Sequence, residues 1–272
     1  MKDIFLEVEA LTDKGLVKEV NQDNFLVKVG EISGTEFGIF IICDGVGGLD
    51  LGEKASYICT KLFKEWWNNE MPNVLRQEDD SVIISELNKI LGQANEEIIN
   101  ISNQEDKKLG TTASVLMIIG DRYYIAHVGD SRIYLRNKEK LIQLTEDQSL
   151  VNLQVKRGEL TLAQAKVSKQ KNIILQCVGS NEILDIYNAI GRIDKEGTFL
   201  LCSDGFYNKL EDKELRTMGT KFKSTTANRE EILKKYIAIV KERGERDNIS
   251  IIGVNCKSNK EGKLGFLYKF FK

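Results

Sequence analysis

The chain has 272 residues, of which 42% are hydrophobic and 29% are charged, and its formal net charge is −2. This composition is typical of a globular protein with one large domain or two small ones. Neither half of the chain is basic, so nucleic-acid binding is not favoured. No apolar run reaches the roughly 18 residues of a membrane span, so none is predicted. The acids in MKDIFLEVEA argue against a signal peptide.

Alternating and continuous apolar runs predict strands at the start of the chain, over residues 4–10, 24–29 and 36–43. Apolar residues then recur at helical spacing from Ala55 to Trp66 and from Ile83 to Ile101, which predicts two amphipathic helices. Between them we expect a charged loop, about residues 68–80, that holds the only proline.

The second half of the chain is predicted to be richer in strands, over residues 113–119, 123–128, 132–135, 186–190, 198–202 and 249–254. The first three are expected to form a meander. Residues 150–171 are polar with weak helical spacing, and Asn228 with Glu231 predicts a capped helix start. Because strands come in adjacent groups with helices between them, we expect antiparallel sheets covered by helices.

The five cysteines are odd in number, widely spaced and placed mostly in apolar runs, without CxxC pairs. We interpret them as small core residues in a reducing compartment, which predicts a cytoplasmic protein. The chain has one histidine and no Cys/His cluster with metal-ligand spacing, so a zinc site is not predicted.

Aspartates stand at the ends of five apolar strands: Asp23, Asp44, Asp130, Asp204 and Asp247. Each Asp-Gly pair alone is ordinary turn chemistry. If adjacent strands bring these ends together, however, the carboxylates would repel one another unless cations bind there. Oxygen ligands favour Mg²⁺ or Mn²⁺, and two such ions can hold a hydroxide and cancel charge on a phosphoryl group. The pattern therefore predicts phosphate-ester hydrolysis.

Seven motifs in order carry a resemblance to a known family: TDKGLVKEVNQDNF (12–25), ICDGVGG (42–48), LGTTASV (109–115), AHVGDSRIY (126–134), LTEDQSLV (144–151), LLCSDGFYNKL (200–210) and RDNISII (246–252). The chain resembles the metal-dependent serine/threonine protein phosphatases of the PPM class, type 2C, in their bacterial form. The resemblance spans roughly residues 4 to 255 and implies an α+β fold, a four-layer αββα sandwich of two antiparallel sheets flanked by helices. Residues 1–256 would form the phosphatase domain.

The resemblance also implies a set of metal ligands. Asp44 would bridge two Mn²⁺ or Mg²⁺ ions, and the Gly45 carbonyl would bind one of them. Asp204 and Asp247 would complete the other, and Asp130 with Asp204 resembles the pair that holds a third ion in bacterial members. A hydroxide held between the two ions would attack phosphorus directly, which makes the three ligand carboxylates of the main pair of ions catalytic residues.

Other positions would support this site. Asp23 would order metal-bound waters, and Gln22 stands before it where many members carry Glu. Thr111 and Thr112 are expected to buttress the site by hydrogen bonds. The segment 151–171 matches the variable flap of the family, a natural place for substrate selection.

The most consequential departure from the family is Lys18, which occupies the position of an arginine that grips the substrate phosphate. Lysine keeps the positive charge but loses the bidentate fork. We predict that Lys18 contacts the phosphate as a point charge and assists catalysis. The alternative is that Lys18 is a solvated surface lysine.

Other departures concern proton donors and hydrogen-bonding side chains. Val46 stands where animal members carry a histidine proposed as general acid, so leaving-group protonation must come from a metal-bound water or elsewhere. Gln148 stands where His is common. We interpret His127 as structural, the alternative being a catalytic or ligand role, and Ser131 and Arg132 as residues that fix the Asp130 turn.

Three functions remain open at this point. The first is an active phosphatase of phosphoserine and phosphothreonine in proteins. The alternative, motivated by Lys18, is a catalytically weak or inactive phosphoprotein-binding module on the same fold. The third is a two-metal phosphoesterase acting on nucleotides or nucleic acid, which the absence of a basic patch disfavours. The resemblance implies phosphorylated protein partners, including a Ser/Thr kinase and its targets, and we expect a monomer.

The segment 257–272 follows the last motif and differs in composition, with five lysines and six apolar residues from Leu264 onward. Leu264, Leu267, Tyr268 and Phe271 would share one helical face. Such a segment could lie on an acidic membrane surface or in a partner groove. The alternative is a terminus that folds against its own domain or stays disordered.

Overall fold

A computed structural model describes residues 4–32, 34–46, 51–77, 79–138, 140–194, 196–224 and 228–258. The strands in these ranges are β1 (Ile4–Asp13), β2 (Asn24–Ile32), β3 (Thr35–Cys43), β4 (Ala113–Ile119), β5 (Arg122–Val128), β6 (Arg132–Asn137), β7 (Lys140–Gln143), β8 (Tyr187–Arg192), β9 (Glu196–Cys202) and β10 (Ile249–Ser258). The helices there are α1 (Gly52–Asn69), α2 (Met71–Leu75), α3 (Asp80–Glu105), α4 (Leu150–Lys156), α5 (Leu162–Val167), α6 (Asp204–Tyr207), α7 (Asp212–Ser224) and α8 (Arg229–Glu242).

The strands form two five-stranded antiparallel sheets, in the orders β1-β10-β9-β6-β7 and β2-β3-β4-β5-β8. Alternate residues of β3 are buried in two different hydrophobic clusters, one on each face of the sheet. Phe40 belongs to the cluster between the sheets, with Phe199 of β9, whereas Ile39 and Ile41 belong to the cluster under α1 and α3. A third cluster packs α7 and α8 against the other sheet. The expected αββα sandwich is therefore confirmed.

The predicted meander is wrong at its third strand. β4 and β5 form a hairpin, but β6 pairs with β7 and β9 in the opposite sheet. Gly129, with φ of +109°, precedes the crossing and adopts a backbone conformation that other residues rarely take. A run of apolar residues shows that a strand is present but does not show which sheet it joins.

The helices α2, α6 and α7 and one strand were not predicted, and α6 has only four residues. The expected charged loop contains α2, which buries Met71 and Val74 and has Pro72 in its first turn, where a missing N–H costs little. The helix α7 buries Leu215, Met218 and Phe222 within a polar sequence that hides the spacing. The edge strand β7 is short and mostly exposed, so its four residues carry little pattern.

The five cysteines are buried and free, as expected for core residues. The Asn228 side chain accepts a hydrogen bond from the Glu231 backbone at the start of α8, which confirms that cap. No helix within the described ranges combines the length and apolar character needed to cross a lipid bilayer. The predicted tail helix lies outside the described residues from position 259 onward.

Candidate active site

The antiparallel register places the five aspartates at one end of the sandwich. β2 begins opposite the end of β3, so Asp23, just before β2, is a neighbour of Asp44, just after β3. β10 begins near the end of β9, and Asp247 and Asp204 flank that end in the other sheet. Asp130 follows β5, whose partner β4 begins at the same edge. The structure thus brings together all five strand-end carboxylates.

The Asp44 carboxyl group lies among four other carboxyl groups whose charges act on it. Burial, followed by the charges of Asp23, Asp204, Asp130 and Asp247, raises the pKa of Asp44 well above its ordinary value. Burial and the charges of Asp130 and Asp247 likewise raise the pKa of Asp204. Bound cations would remove this repulsion, because an opposite charge nearby favours the ionised carboxylate.

Asp23 joins the two sheets and carries an orphaned oxygen. Its Oδ2 accepts hydrogen bonds from the Ser250 hydroxyl at 2.6 Å and the Ser203 hydroxyl at 2.9 Å. Its Oδ1 is buried without a hydrogen-bond partner among the described residues. Burial raises the pKa of Asp23 to about 6, although the serine bonds oppose the shift. A buried carboxylate oxygen left free beside Asp44 fits a group that would bind the water shell of a cation.

The donor set is therefore suitable for hard divalent cations. Five carboxylates and the Gly45 carbonyl offer only oxygen, which Mg²⁺ and Mn²⁺ prefer. Within the described ranges, no three Asp, Glu, His or Cys side chains already converge as closely as metal ligands do. Like charges in a buried setting repel one another, and a cation between these carboxylates would reduce that repulsion.

Lys18 supplies a positive charge inside this acidic site. Its Nζ lies 2.8 Å from Oδ1 of Asp247, and its side chain is 30% exposed. Burial alone would lower the pKa of Lys18, but the bond to Asp247 and the charges of Asp44 and Asp204 raise it. This contact places the ammonium group of Lys18 beside Asp247, one of the predicted metal ligands, and the role of Lys18 in binding phosphate stays a prediction.

Thr111 and Thr112, which directly precede β4, form hydrogen bonds with the backbone of Asp44. The Asp44 N–H donates to Oγ1 of Thr112 at 3.0 Å, and the Thr112 N–H donates to the Asp44 carbonyl at 2.8 Å. The Thr111 hydroxyl donates to the same carbonyl at 3.0 Å. These contacts are the hydrogen-bonded buttress that the sequence led us to expect.

Gln22 contributes mainly through its backbone. Its carbonyl accepts the Gly45 N–H at 3.2 Å and the Ser56 hydroxyl at 2.7 Å, which ties the Asp23 segment to α1. Its side chain donates to Glu53 at 3.2 Å, so it is turned toward α1. Because the backbone bonds do not depend on the side chain, they would be the same with a glutamate at this position.

Sequence reasoning missed Asn248, which anchors the loop that carries Lys18. Its Oδ1 accepts the Gln22 N–H at 2.9 Å, and its Nδ2 donates to the carbonyls of Lys14 and Val20 at 2.9 and 3.1 Å. A buried amide with all of these bonds is costly to replace. The available signal was its place directly after Asp247 in the motif RDN.

The turn at Asp130 is held by Gln148, whose role sequence reasoning left open, and by Arg132, which was predicted to fix this turn. Gln148 accepts the Gly129 N–H at 2.8 Å and donates to the Asp185 carbonyl at 2.6 Å. Arg132 makes a bidentate pair with Asp147, and its guanidinium lies 3.8 Å from the centre of the Tyr207 ring. The Tyr207 hydroxyl donates to the Asp130 carbonyl at 2.9 Å.

Gly205 is the tightest close approach at the site. A Cβ at this position would lie 2.0 Å from the carbonyl oxygen of Asn248. We expect Gly205→Ala to destabilise the fold by about 1–3 kcal/mol through overpacking and to lower activity at least tenfold by displacing Asp204 from Asp247. Urea unfolding and phosphate release would measure the two effects.

Gly92 provides the matched control for that substitution. It lies within α3, and a Cβ there would have no atom within 4 Å. Gly92→Ala is expected to stabilise the protein by about 0.5–1 kcal/mol, because alanine is the better helix former. Equal changes in the free energy of unfolding and in activity for Gly205→Ala and Gly92→Ala would contradict the packing argument.

His127 is enclosed by structural hydrogen bonds. Its Nδ1 lies 2.9 Å from the Ser114 hydroxyl, and its Nε2 lies 3.0 Å and 3.2 Å from the carbonyls of Gly129 and Glu146. The two carbonyls require Nε2 to carry the proton. Burial lowers the pKa of His127 to about 4. These contacts fit the structural interpretation rather than a ligand role.

The depressed pKa of His127 predicts a pH-dependent loss of stability. The unfolded histidine titrates near 6.5, so between pH 6.5 and 4 the unfolded state binds the extra proton and stability falls as pH falls. From pH 7 to 5 we expect the free energy of unfolding to lose about 2 kcal/mol more in the wild type than in His127→Gln. Urea unfolding at pH 7, 6 and 5 measures this difference, and parallel losses would contradict it.

Comparison with known proteins agrees with this fold. A profile of the protein phosphatase 2C family matches residues 16–243, well over half of the chain. The chain belongs to the protein phosphatase 2C family.

Named relatives extend over most of the chain. Serine/threonine phosphatase stp of Listeria monocytogenes is 30% identical over 260 residues, which cover 95% of this chain and 99% of that protein. Protein phosphatase PhpP of Streptococcus pneumoniae is 34% identical over 219 residues, which cover 79% and 85%. The crystal structure of serine/threonine phosphatase Stp1 from Staphylococcus aureus superposes with a TM-score of 0.82 at 25% identity, covering 92% of this chain and 94% of that one.

Proposed function

We propose that this protein is an active, metal-dependent phosphatase that hydrolyses phosphoserine and phosphothreonine in proteins. The observation that carries the proposal is the group of five carboxylates at one end of the sandwich, with raised pKa values at Asp44 and Asp204 and the ammonium group of Lys18 among them. Clustered carboxylates bind cations, and a site that holds such cations can accept an anionic substrate. The names of the relatives support the substrate class.

The metal ligands we propose are Asp44, Gly45, Asp204 and Asp247 for two Mn²⁺ or Mg²⁺ ions. Asp130 would join Asp204 in holding a third. When bound, such ions lower the pKa of water and cancel charge on a phosphoryl group. The carboxylates would hold the ions from both sheets, and Asp23 with its two serines would keep the two halves of the ligand set in place.

Lys18 would bind the phosphate oxygens of the substrate. Its pairing with Asp247 at 2.8 Å keeps the ammonium group at the site before substrate arrives. A pre-positioned cation loses little entropy when it meets the phosphate. Because lysine binds as a point charge, it would tolerate several phosphate orientations, whereas an arginine fork selects one.

The direct test is release of phosphate from a phosphothreonine peptide, measured with Mn²⁺, without added metal and with EDTA. We expect release that depends on Mn²⁺ and is abolished by EDTA. A second readout is thermal: at 100 times its dissociation constant, Mn²⁺ should stabilise the fold by about 2.7 kcal/mol. Stabilisation without phosphate release would favour the binding-module alternative, and the absence of both would sink the proposal.

Substitutions at Lys18 separate a phosphate-binding role from a structural one. Lys18→Gln should raise KM for the phosphopeptide about tenfold, while Lys18→Arg should keep KM near the wild-type value or lower it. The melting temperature serves as control, since both variants remove or alter one half-exposed ion pair. Equal KM values in all three proteins would show that Lys18 does not touch the phosphate.

The remaining expectations follow from the family and stay proposals. We propose that the substrates include a Ser/Thr kinase and its targets, that the protein works as a monomer in the cytoplasm, and that residues 257–272 contact a membrane surface or a partner. A panel of phosphopeptides, nucleotides and single-stranded DNA, assayed with Mn²⁺, would separate the phosphatase from a nucleotide or nucleic-acid phosphoesterase. Hydrolysis restricted to phosphopeptides is the expected result.

A further inference from the structure

A cavity of about 250 Å³ extends from the candidate active site and is lined by Lys18, Lys171, Lys209, Arg246, Asp204 and Asp247, among others. Two of these residues are proposed metal ligands, so the cavity is continuous with the place where the scissile phosphate would bind. Lys171 comes from the flap segment, Lys209 follows α6, and Arg246 directly precedes Asp247.

The cations of this cavity outnumber the charges that could neutralise them. The three lining carboxylates are Asp204, Asp247 and Glu245. Glu245 accepts the backbone N–H groups of Arg246 and Asp247 at 2.8 and 3.1 Å. The other two carboxylates would be occupied by metal ions. Once the ions are bound, the cavity is therefore strongly positive, in a chain whose net charge is −2.

Three of the cations have no acidic partner of their own within the described ranges. Lys18 pairs with Asp247, but no ion pair joins Lys171, Lys209 or Arg246 to an acid in the part of the chain that the structure describes. All three are partly or fully exposed to solvent. Unpaired cations around a concave surface attract an anionic group, because a cleft lined by one sign of charge focuses its field.

We propose that this cavity is a subsite for a second anionic group on the substrate, close in sequence to the scissile phosphoresidue. The proposal rests on the proposed phosphatase function and adds a preference within it. The chemistry is that of a carboxylate or phosphate binding to ammonium and guanidinium groups. An aspartate or glutamate, or a second phosphorylated residue, would satisfy it.

The test compares kcat/KM for matched peptides with saturating Mn²⁺. One peptide carries phosphothreonine among neutral residues, and others place Asp, Asn, Lys or a second phosphothreonine one to three positions to either side. For the best acidic position we expect kcat/KM about 5–20 times that of the Asn peptide, since three exposed pairs each contribute modestly. The ratio should shrink in 0.5 M salt, which screens exposed charges.

Substitutions of the cationic side chains test whether they cause the preference for acidic peptides. Lys209→Gln combined with Arg246→Gln should bring the ratio of the Asp to the Asn peptide to within about twofold of unity, and Lys171→Gln should lower it in part. Lys64→Gln, which removes an exposed charge from α1, is the matched control and should keep the wild-type ratio. The second-phosphate and Asp peptides show which anion the subsite prefers.

The outcomes separate this proposal from the proposed function. Brisk hydrolysis of the neutral peptide with equal kcat/KM for Asp, Asn and Lys peptides would overturn the subsite and leave the phosphatase standing. A preference that survives Lys209→Gln with Arg246→Gln would also overturn it. Absence of hydrolysis for every peptide would overturn the phosphatase function and the subsite with it.

Discussion

Asp44→Asn is expected to abolish metal-dependent phosphate release while raising the stability of the metal-free protein. The side chain would lose its proposed role as a metal ligand, and with it several kcal/mol of charge stabilisation. A loss of at least about 10³-fold in kcat follows, since each 1.4 kcal/mol is a factor of ten. The isosteric change leaves packing intact, so the effect is one of charge.

The gain in stability follows from the same charges. Burial and four neighbouring aspartates raise the pKa of Asp44, so its ionised form is disfavoured in the metal-free fold. Removing that charge should stabilise the protein by about 1–2 kcal/mol in EDTA, a rise of roughly 2–6 °C in melting temperature. Mn²⁺ should then stabilise the variant much less than the wild type.

Asp121→Asn is the control for the Asp44 variant. It makes the same chemical change in the turn between β4 and β5, away from the site. Neither activity nor the response to Mn²⁺ should change. Wild-type turnover by Asp44→Asn would rule out the proposed ligand role. An unchanged melting temperature of Asp44→Asn in EDTA would rule out repulsion between Asp44 and the neighbouring aspartates.

Asp147→Asn is expected to cause the largest loss of stability among the substitutions considered. It would leave the guanidinium of Arg132 against the Tyr207 ring without its carboxylate. Breaking a buried pair from one side costs about 3–5 kcal/mol. The Arg132 side chain is 25% exposed, so screening reduces the expected cost to about 2–4 kcal/mol. Activity should fall as well, because Tyr207 also holds the Asp130 carbonyl.

The molecule contains a matched surface pair for comparison. Arg243 makes a bidentate contact with Glu214, with both nitrogen–oxygen distances at 2.7 Å, and its side chain is 41% exposed. Glu214→Gln should cost much less than Asp147→Asn, because water and salt screen an exposed pair. A double variant, Arg132→Gln with Asp147→Asn, should be less destabilised than the sum of its single variants. Equal costs at the two pairs would show that burial contributes nothing to the Arg132–Asp147 pair.

The sequence was most informative about the individual strands and the residues that follow them. The spacing and content of apolar residues predicted the positions of most strands within a few residues. A continuous apolar run such as that of β3 fits few structures other than a strand buried on both faces. Antiparallel pairing then made it reasonable that Asp44 and Asp23 would lie together. Both inferences depend on neighbours in sequence or on a single pair of strands.

The rest of the site depends on contacts that no local pattern encodes. Lys18 meets Asp247, and Asn248 holds the segment from Lys14 to Gln22, across more than 200 residues. Gln148 could be noticed as a departure from relatives, but its bonds to Gly129 and Asp185 follow from how β5 and β8 are placed. The destination of β6 in the opposite sheet was missed for the same reason.

The two sheets are interleaved along the chain. β1 belongs to the first sheet, β2 to β5 to the second, β6 and β7 to the first, β8 to the second, and β9 and β10 to the first again. No cut in the chain therefore separates one complete sheet from the other. The proposed metal ligands divide in the same way, with Asp44 and Asp204 on opposite sides of most cuts. A proteolytic nick in a surface loop would leave fragments that must reassemble before either could hold a metal ion, so the domain should gain and lose its fold and its active site as one unit.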